Sequence, residues 1–553
     1  MKKNILALAA AVAMLSATAC NSLLDLTPRD SISDKVMWSD VSSAEYAVND
    51  IYAYTYSIYA SWPCVAGMTE ALTDQLKYGS YLYNSMCFIP SEIAYGGSTL
   101  TSNYVDVYMG CWGSLYAAVR RTNEAIYNLK SLGSGLPETE RTRLEAELRL
   151  MRGWLYFELV KRYKEVILYD EDLTAITKDK ALSSEAEGWK MVKDDIAFAG
   201  ANLPVKADAR GRLDKGAAYA LATRALLYAK DYEAVVDAAR RVKELGYGLE
   251  ADYAAVFNGG GKESILQYNF SYADNVMHSF DFYYSPGGDF VQLGLQGGAY
   301  ATPTQEMVES YELAGTGGFP DWSNWHGTTT EEPPYKLLEP RFHATILYNG
   351  ARWKGRTIQP YVGGEDGWAE WRKESQPQGR TTTGYYLRKG VDESHNLAER
   401  DASKSLQPAI LLRYGEVLLN KAEACFRLND AAGANEAVKE IRARVGLPSA
   451  TLSGDELWNA IRQERRVELA YEGLWYWDLR RWGDASKAYP IGLNGYQVHG
   501  LKITPAAVDG QFEYTYVSVD DKDRNFPEKM ARFPMPASEL NSNSLVEQYA
   551  EWK

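Results

Sequence analysis

GRLDKGAAYALATRALLYAKDYEAVVDAARRVKELGYG, from Gly211 to Gly248, is the stretch whose pattern settles the architecture. Leu221, Ala225, Tyr228 and Tyr232 form a stripe inside the segment Lys215 to Gly246, at the spacing of one helical face. Small alanines stand where two helices must approach, and Tyr232 opens the second of them. The expectation is a pair of packed helices.

The same stripe recurs on either side. Ser42-Ser43-Ala44-Glu45 reads as a capping box, after which Ala44, Val48, Ile51, Thr55 and Ile58 share one face, predicting a helix from Ala44 to Tyr59. Leu144, Leu148, Met151, Leu155 and Leu159 form another stripe, with Arg143, Glu147 and Arg152 off it, in an amphipathic helix ending near Tyr163. Leu411, Tyr414, Leu418, Ala422 and Cys425 form a third. The Gly211–Gly248 unit looks like a tetratricopeptide repeat, but no clean period of about 34 residues runs through the chain. The fold class expected is therefore mainly α, with irregular tetratricopeptide-like helical hairpins as a scaffold.

From Tyr268 to Gly390 the helical pattern gives way to Gly, Pro, Thr and aromatic residues, including Pro286-Gly287-Gly288, Gly297-Gly298, Glu332-Pro333-Pro334 and Gly363-Gly364. A stretch this long inside a compact protein implies short strands and binding loops, because long structureless loops are uncommon unless functional. Trp322, Trp325, Trp353, Trp368 and Trp371 all fall here. The scaffold is assigned to residues 40–250 and 405–485, and a loop-rich binding half with a few short strands to residues 62–110 and 268–390.

Over the whole 553 residues, 59 Lys and Arg against 73 Asp and Glu give a net charge of -14, which argues against nucleic acid as a partner. With 46% apolar and 24% charged residues the composition is that of a globular protein. The 15 Trp and 40 Tyr far outnumber the 14 Phe, which suits surfaces where a ring is half buried and half wet.

The amino terminus reads as an address. Met1-Lys2-Lys3, the apolar Ile5 to Leu15 and the small residues Ser16 to Ala19 make residues 1–19 a secretory signal peptide, with an apolar stretch short of the roughly 20 residues a membrane span needs. Cys20 stands where bacterial lipoproteins are acylated, although Ala17 occupies the position that usually carries Leu. Each buried acyl CH2 contributes roughly 0.8 kcal/mol, so two or three chains anchor a protein stably. The mature chain, residues 20–553, is expected to be lipidated at Cys20 and anchored, not spanning.

Cys64, Cys87, Cys111 and Cys425 include no CxxC pair and are expected to be mostly small buried side chains. Five scattered histidines and the lack of HExxH give no metal site and no cofactor. Asp521, Asp523 and Asn525 imitate the start of a calcium loop, but Phe526 and Arg532 replace the turn glycine and closing Glu, which excludes an EF-hand and leaves open only a looser structural calcium site. There is no GxSxG, phosphate loop or GxGxxG. A glycoside hydrolase needs only two well-placed carboxylates, which 73 acidic residues always supply, so that alternative rests on no motif.

ERRVELAYEGLWYWDLRRWG, Glu464 to Gly483, resembles the signature of the SusD/RagB family of surface nutrient-binding lipoproteins. Trp112, Tyr116, Arg121 and Asn123 in WGSLYAAVRRTN, TGYYLRK from Thr383 to Lys389, ILLRYGEVLLNKAEA from Ile410 to Ala424, RFPMPASEL from Arg532 to Leu540, and Leu24-Asp25 and Pro28 after Cys20 extend the resemblance over the whole mature chain. It implies a single domain with four tetratricopeptide-like helix pairs supporting a looped half. It also implies no catalysis, binding of glycans or in some members peptides, and a seat on a SusC-like TonB-dependent outer-membrane transporter, facing the cell exterior. The Glu464–Gly483 string is expected to stack and ion-pair around the turn near Gly473 as part of the scaffold, not as a binding site.

Sugar rings offer one C–H face and a hydroxyl rim, so Trp or Tyr can cover the face while Asn, Asp, Arg or Gln bonds the rim. Two groups fit by composition and place: Tyr78, Tyr81, Tyr83 and Asn84, with Asp74 and Lys77 nearby; and Trp322, Asn324 and Trp325 with Trp368 and Trp371. Tyr52, Tyr54, Tyr56 and Tyr59 are expected to pack or to face the transporter. The acidic balance weighs against highly anionic glycans unless a local basic patch reverses it.

Overall fold

The computed structural model describes residues 34–60, 69–79, 91–173, 179–209, 211–291, 293–371, 373, 379–397, 404–487, 492–508 and 510–553. The leader, Cys20, Cys64, Tyr81, Tyr83, Asn84 and Cys87 lie outside these residues.

The scaffold is a run of helices: α1 (Val41–Ala60), α2 (Trp112–Leu132), α3 (Glu138–Tyr163), α4 (Glu185–Asn202), α5 (Lys215–Tyr228), α6 (Tyr232–Glu244), α7 (Tyr414–Arg427), α8 (Ala431–Arg444), α9 (Gly454–Glu468) and α10 (Trp475–Trp482). From α2 to α6 each helix packs on the next, and α6 packs on α7 across the loop-rich insertion. Close approach explains some small residues. A Cβ on Gly188 of α4 would lie 2.7 Å from Val160 of α3.

α1 starts three residues before the predicted Ala44, because Asp40 Oδ1 accepts the Ser43 amide at 3.1 Å and caps the helix there. The reciprocal box occurs instead at Ser184 and Glu187, ahead of α4. On α1 the face of Ala44, Val48, Ile51 and Thr55 is buried as expected. The α3 stripe is buried too, but Glu147 and Arg152 are not on a wet face, since α1, α2 and α4 enclose the helix. Arg152 bonds Asp195 of α4 at 2.7 and 2.8 Å and Asn123 of α2 at 2.8 Å, and Glu147 accepts from Tyr52 of α1 at 2.9 Å. Leu411 belongs to a strand, and α7 begins at Tyr414, because the apolar run before it pairs with another strand. Cys111 and Cys425 are buried free thiols, and among the described residues no helix is long and apolar enough to cross a membrane.

The other half carries short strands: β1 (Leu76–Tyr78), β2 (Ser264–Tyr268), β3 (Ala301–Pro303), β4 (Thr328–Thr329), β5 (Ile346–Leu347), β6 (Arg352–Trp353), β7 (Arg356–Thr357), β8 (Tyr386–Leu387), β9 (Ala409–Arg413), β10 (His499–Pro505) and β11 (Phe512–Ser518). They pair antiparallel as β1 with β3, β2 with β9, β5 with β8, β6 with β7, and β4 on the β10–β11 hairpin. The architecture is mainly α.

The string from Glu464 to Gly483 joins the two halves. Glu468, at the end of α9, receives Arg413 at 2.7 Å, Arg341 at 3.3 Å and Arg444. Arg413 also pairs with Glu263 at 2.8 Å and Glu472 at 2.7 Å, and Arg341 with Glu464 at 2.7 Å. Arg466 makes a two-pronged pair with Asp74 at 2.9 and 2.8 Å. Burial pushes the Glu468 carboxyl up, yet Arg444, Arg413 and Arg341 more than offset it and hold it well below the usual carboxylate range.

Removing one partner of a buried charge network leaves the others uncompensated, so Glu468→Gln should lower unfolding free energy by about 3–5 kcal/mol near neutral pH. A depressed carboxylate contributes stability that is present above its ordinary value and lost as pH falls through the folded one. Denaturant titrations should therefore show the gap between wild type and variant narrowing below about pH 4.5. A gap that widened there would contradict this account.

Candidate functional site

Tyr78 ends β1 in register with Ala301 of β3, and its ring is 2% exposed in a core cluster with Tyr284, Trp353 and Tyr386. It is a packing residue and offers no face to a ligand. Lys77 beside it is buried, with Nζ 2.8 Å from Asp520 Oδ1. Burial pushes the Lys77 amine down to about 8, with Asp520 pulling the other way. Asp520 itself stays charged: burial raises it, but Arg524 and Lys77 outweigh that.

The Trp371 indole lies over the Lys77 ammonium at 3.6 Å and packs on the same cluster as Tyr78. One residue from each sequence-predicted group is thus brought together. The remaining tryptophans are spread elsewhere. Trp322 is 6% exposed, in a cluster with Tyr311, Phe342 and Tyr514, so its faces are also covered. Trp325 is half-buried, 5.7 Å from the Trp322 ring, and its Nε1 donates to the Glu331 carbonyl at 3.0 Å. Asn324 is exposed and donates to the Glu331 carboxylate at 2.8 Å. Beside Trp325 in sequence, His326 lies 4.7 Å from Tyr516, which stacks on His499 at 4.3 Å. Trp368 is half-buried against Tyr496, Val498 and Val519. The group read as one cluster is three packing neighbourhoods, because each indole fills the nearest gap between a loop and a strand.

The rings that do form an arc were not singled out from the sequence. Tyr268, at the end of β2, is 4.9 Å from Phe270, Phe270 is 4.4 Å from His278, and His278 is 6.5 Å from Phe280. All four are half-buried. A turn returns the chain: Ser271 and Val276 bond each other's backbone, and Asn275 takes a left-handed φ of 56°. The His278 ring is fixed as a flat plate, with Nε2 at 2.8 Å from the Gln407 carbonyl and Nδ1 accepting the Phe280 amide at 3.1 Å. Burial pushes this imidazole toward its neutral form. The available signal was the alternation in QYNFSYADNVMHSFDFYY, residues 267–284, where rings stand at positions 268, 270 and 272 before the turn and at 278, 280, 282 and 284 after it.

The arc runs into a cavity of about 280 Å³ between the two halves. Phe257, His278 and Phe280 wall it from the loops, and Phe157, Tyr228 and Trp477 from the helices. Gln407 and Lys389 add polar groups. The lining thus sets aromatic rings beside a few hydrogen-bonding groups. Among the described residues no group of three or more His, Cys, Asp or Glu converges to hold a metal.

The chain belongs to the SusD family, whose model matches residues 262–552. It is 23% identical over 506 residues to a SusD-like protein of Bacteroides ovatus, covering 87% of this chain and 83% of that protein. A SusD-like protein from Bacteroides fragilis superposes with a TM-score of 0.78 at 28% identity, covering 95% of this chain and 99% of that one. A SusD-like carbohydrate-binding protein from the same species superposes with a TM-score of 0.74 at 24% identity, covering 92% and 100%.

Since Trp371 caps a desolvated ammonium, Trp371→Ala should cost about 2 kcal/mol of stability, read as a lowered denaturation midpoint, whereas Trp371→Phe should cost less. Equal losses in the two variants would mean that volume, not the ring face over Lys77, sets the effect.

Proposed function

We propose that this chain is a non-catalytic glycan-binding lipoprotein of the outer membrane that captures oligo- or polysaccharide at the cell exterior and passes it to a SusC-like TonB-dependent transporter. The observation that carries this reading is the row of half-exposed rings at Tyr268, Phe270, His278 and Phe280, leading into a ring-walled cavity on a SusD-family frame. Sugar C–H faces stack on such plates while hydroxyls find donors and acceptors at the edge. The name of the Bacteroides fragilis carbohydrate-binding relative supports the same ligand class. Trp325 and exposed Asn324, beside the His326–Tyr516–His499 stack, form a second ring group of the same kind. Cys20 supplies the anchor in this reading, and the helical scaffold is the part nearest the transporter, with Tyr54 on α1 half-buried while Tyr52 packs inside on Glu147.

Affinity gels containing host and plant polysaccharides test the reading. Retardation by at least one glycan is expected, weakened about fivefold by Phe270→Ala, since one aromatic stacking contact is worth about 1 kcal/mol, with a smaller loss for Trp325→Ala. No retardation across the panel would overturn the proposal, and hydrolysis of those polysaccharides by the purified protein would replace it with an enzyme. The anchor has its own test: Cys20→Ala should move the protein from the membrane fraction to the soluble one, and unchanged fractionation would remove lipidation at Cys20.

A further inference from the structure

Positive charge collects at the helical end of the cavity. Lys161 and Arg162, in the last turn of α3, and Arg480 of α10 surround the Trp477 indole, at 4.5, 4.7 and 4.7 Å from its centre. Lys161, Arg162 and Trp477 line the cavity, and Arg480 lies against the same indole. Among the described residues Glu158 is the carboxylate that opposes them, 2.6 Å from Lys161 and bonded to Arg162. The other charges on the lining are paired within themselves: Arg224 with Glu416 at 2.6 Å and Lys389 with Glu472 at 2.6 Å.

The guanidinium groups are also short of acceptors. Arg162 is buried, and its Nε has no hydrogen-bond partner among the described residues. Arg480 donates from Nη2 to the Met530 and Ala531 carbonyls at 2.9 and 3.1 Å, while its Nε and Nη1 have none. A buried donor left without an acceptor is destabilising. An anion entering the cavity relieves the excess of cations over the Glu158 carboxylate.

The walls restrict which anion fits. Tyr228, Phe257 and Phe280 on the lining are half-buried rings, whose apolar faces an inorganic ion would leave uncovered. A cavity of about 280 Å³ is near the lower limit of about 300 Å³ for small-molecule sites. Guanidinium edges match planar carboxylates in two-pronged geometry. We infer that this cavity is a subsite for a carboxylated sugar ring, a uronate unit of the bound glycan, with Lys161 and Arg162 at the carboxylate and the aromatic walls on the pyranose. The inference rests on the glycan-binding reading and sharpens its ligand class, and it places a local cationic pocket inside a chain of net charge -14.

The test is a tryptophan-fluorescence titration of the mature chain with D-glucuronate and D-galacturonate against glucose, galactose, galactose 6-sulfate and acetate. At least one uronate should bind about tenfold or more tightly than its parent hexose, the effect of one charge-assisted hydrogen bond, and Arg162→Gln should erase that preference. The wild-type comparison stands by itself should the variant fail to fold. Equal responses to acids and parent hexoses, a uronate preference that survives Arg162→Gln, or acetate or galactose 6-sulfate binding as tightly as the uronates would each overturn the subsite. Neutral polysaccharides retained in gels without a uronate preference would overturn this inference alone, whereas no sugar or polysaccharide binding at all would overturn both readings.

Discussion

Glu468 and the guanidinium groups of Arg341, Arg413 and Arg444 around it are the contact on which the two halves of the molecule depend. Arg444 arrives from α8, Arg413 from the junction of β9 and α7, and Arg341 from the loops, so one carboxylate holds three separate segments. Buried charges are costly unless paired, and here most of the remaining donors find Glu263, Glu464 and Glu472, with Arg444 Nε left without an acceptor among the described residues. Such a network tolerates one arrangement far better than any slipped one. That is how a long insertion between α6 and α7 keeps a fixed position on the scaffold.

A fixed insertion lets its rings do two jobs. Tyr78 and Trp322 are spent on packing, and Trp371 on shielding a buried ammonium. Tyr268, Phe270, His278 and Phe280 stay half-exposed beside a tight turn, where the chain reverses before a core forms around them. The Tyr268–Phe280 arc owes its position to β2 pairing with β9, which itself ends at Arg413 of the ion network. Frame and binding surface are therefore linked through a few residues, and the cavity between them has one wall from each.

The helical hairpins were legible because apolar period and burial agree: the α1 and α3 stripes are buried where their spacing predicts. Caps were less legible. Asp40 and the Ser42–Glu45 box compete for the same helix start, and the nearer carboxylate wins. Glu147 and Arg152 look solvent-facing by period, yet neighbouring helices enclose them because each finds an opposite charge across the interface. For the site, aromatic density could not separate Tyr78 and Trp322, which pack inside, from rings that stay half-exposed, since tryptophan content measures apolar area and not which face stays wet.

Taken alone, the order of residues determined the helical scaffold, the loop-rich insertion, the structural role of Glu464–Gly483 and the family resemblance, because period and motif are properties of the chain's own neighbours. Tertiary structure alone decided which rings remain exposed, that Trp371 meets β1, and that Lys161, Arg162 and Arg480 gather around Trp477. Those facts depend on segments hundreds of residues apart, brought together by buried ion pairs whose partners no local pattern names.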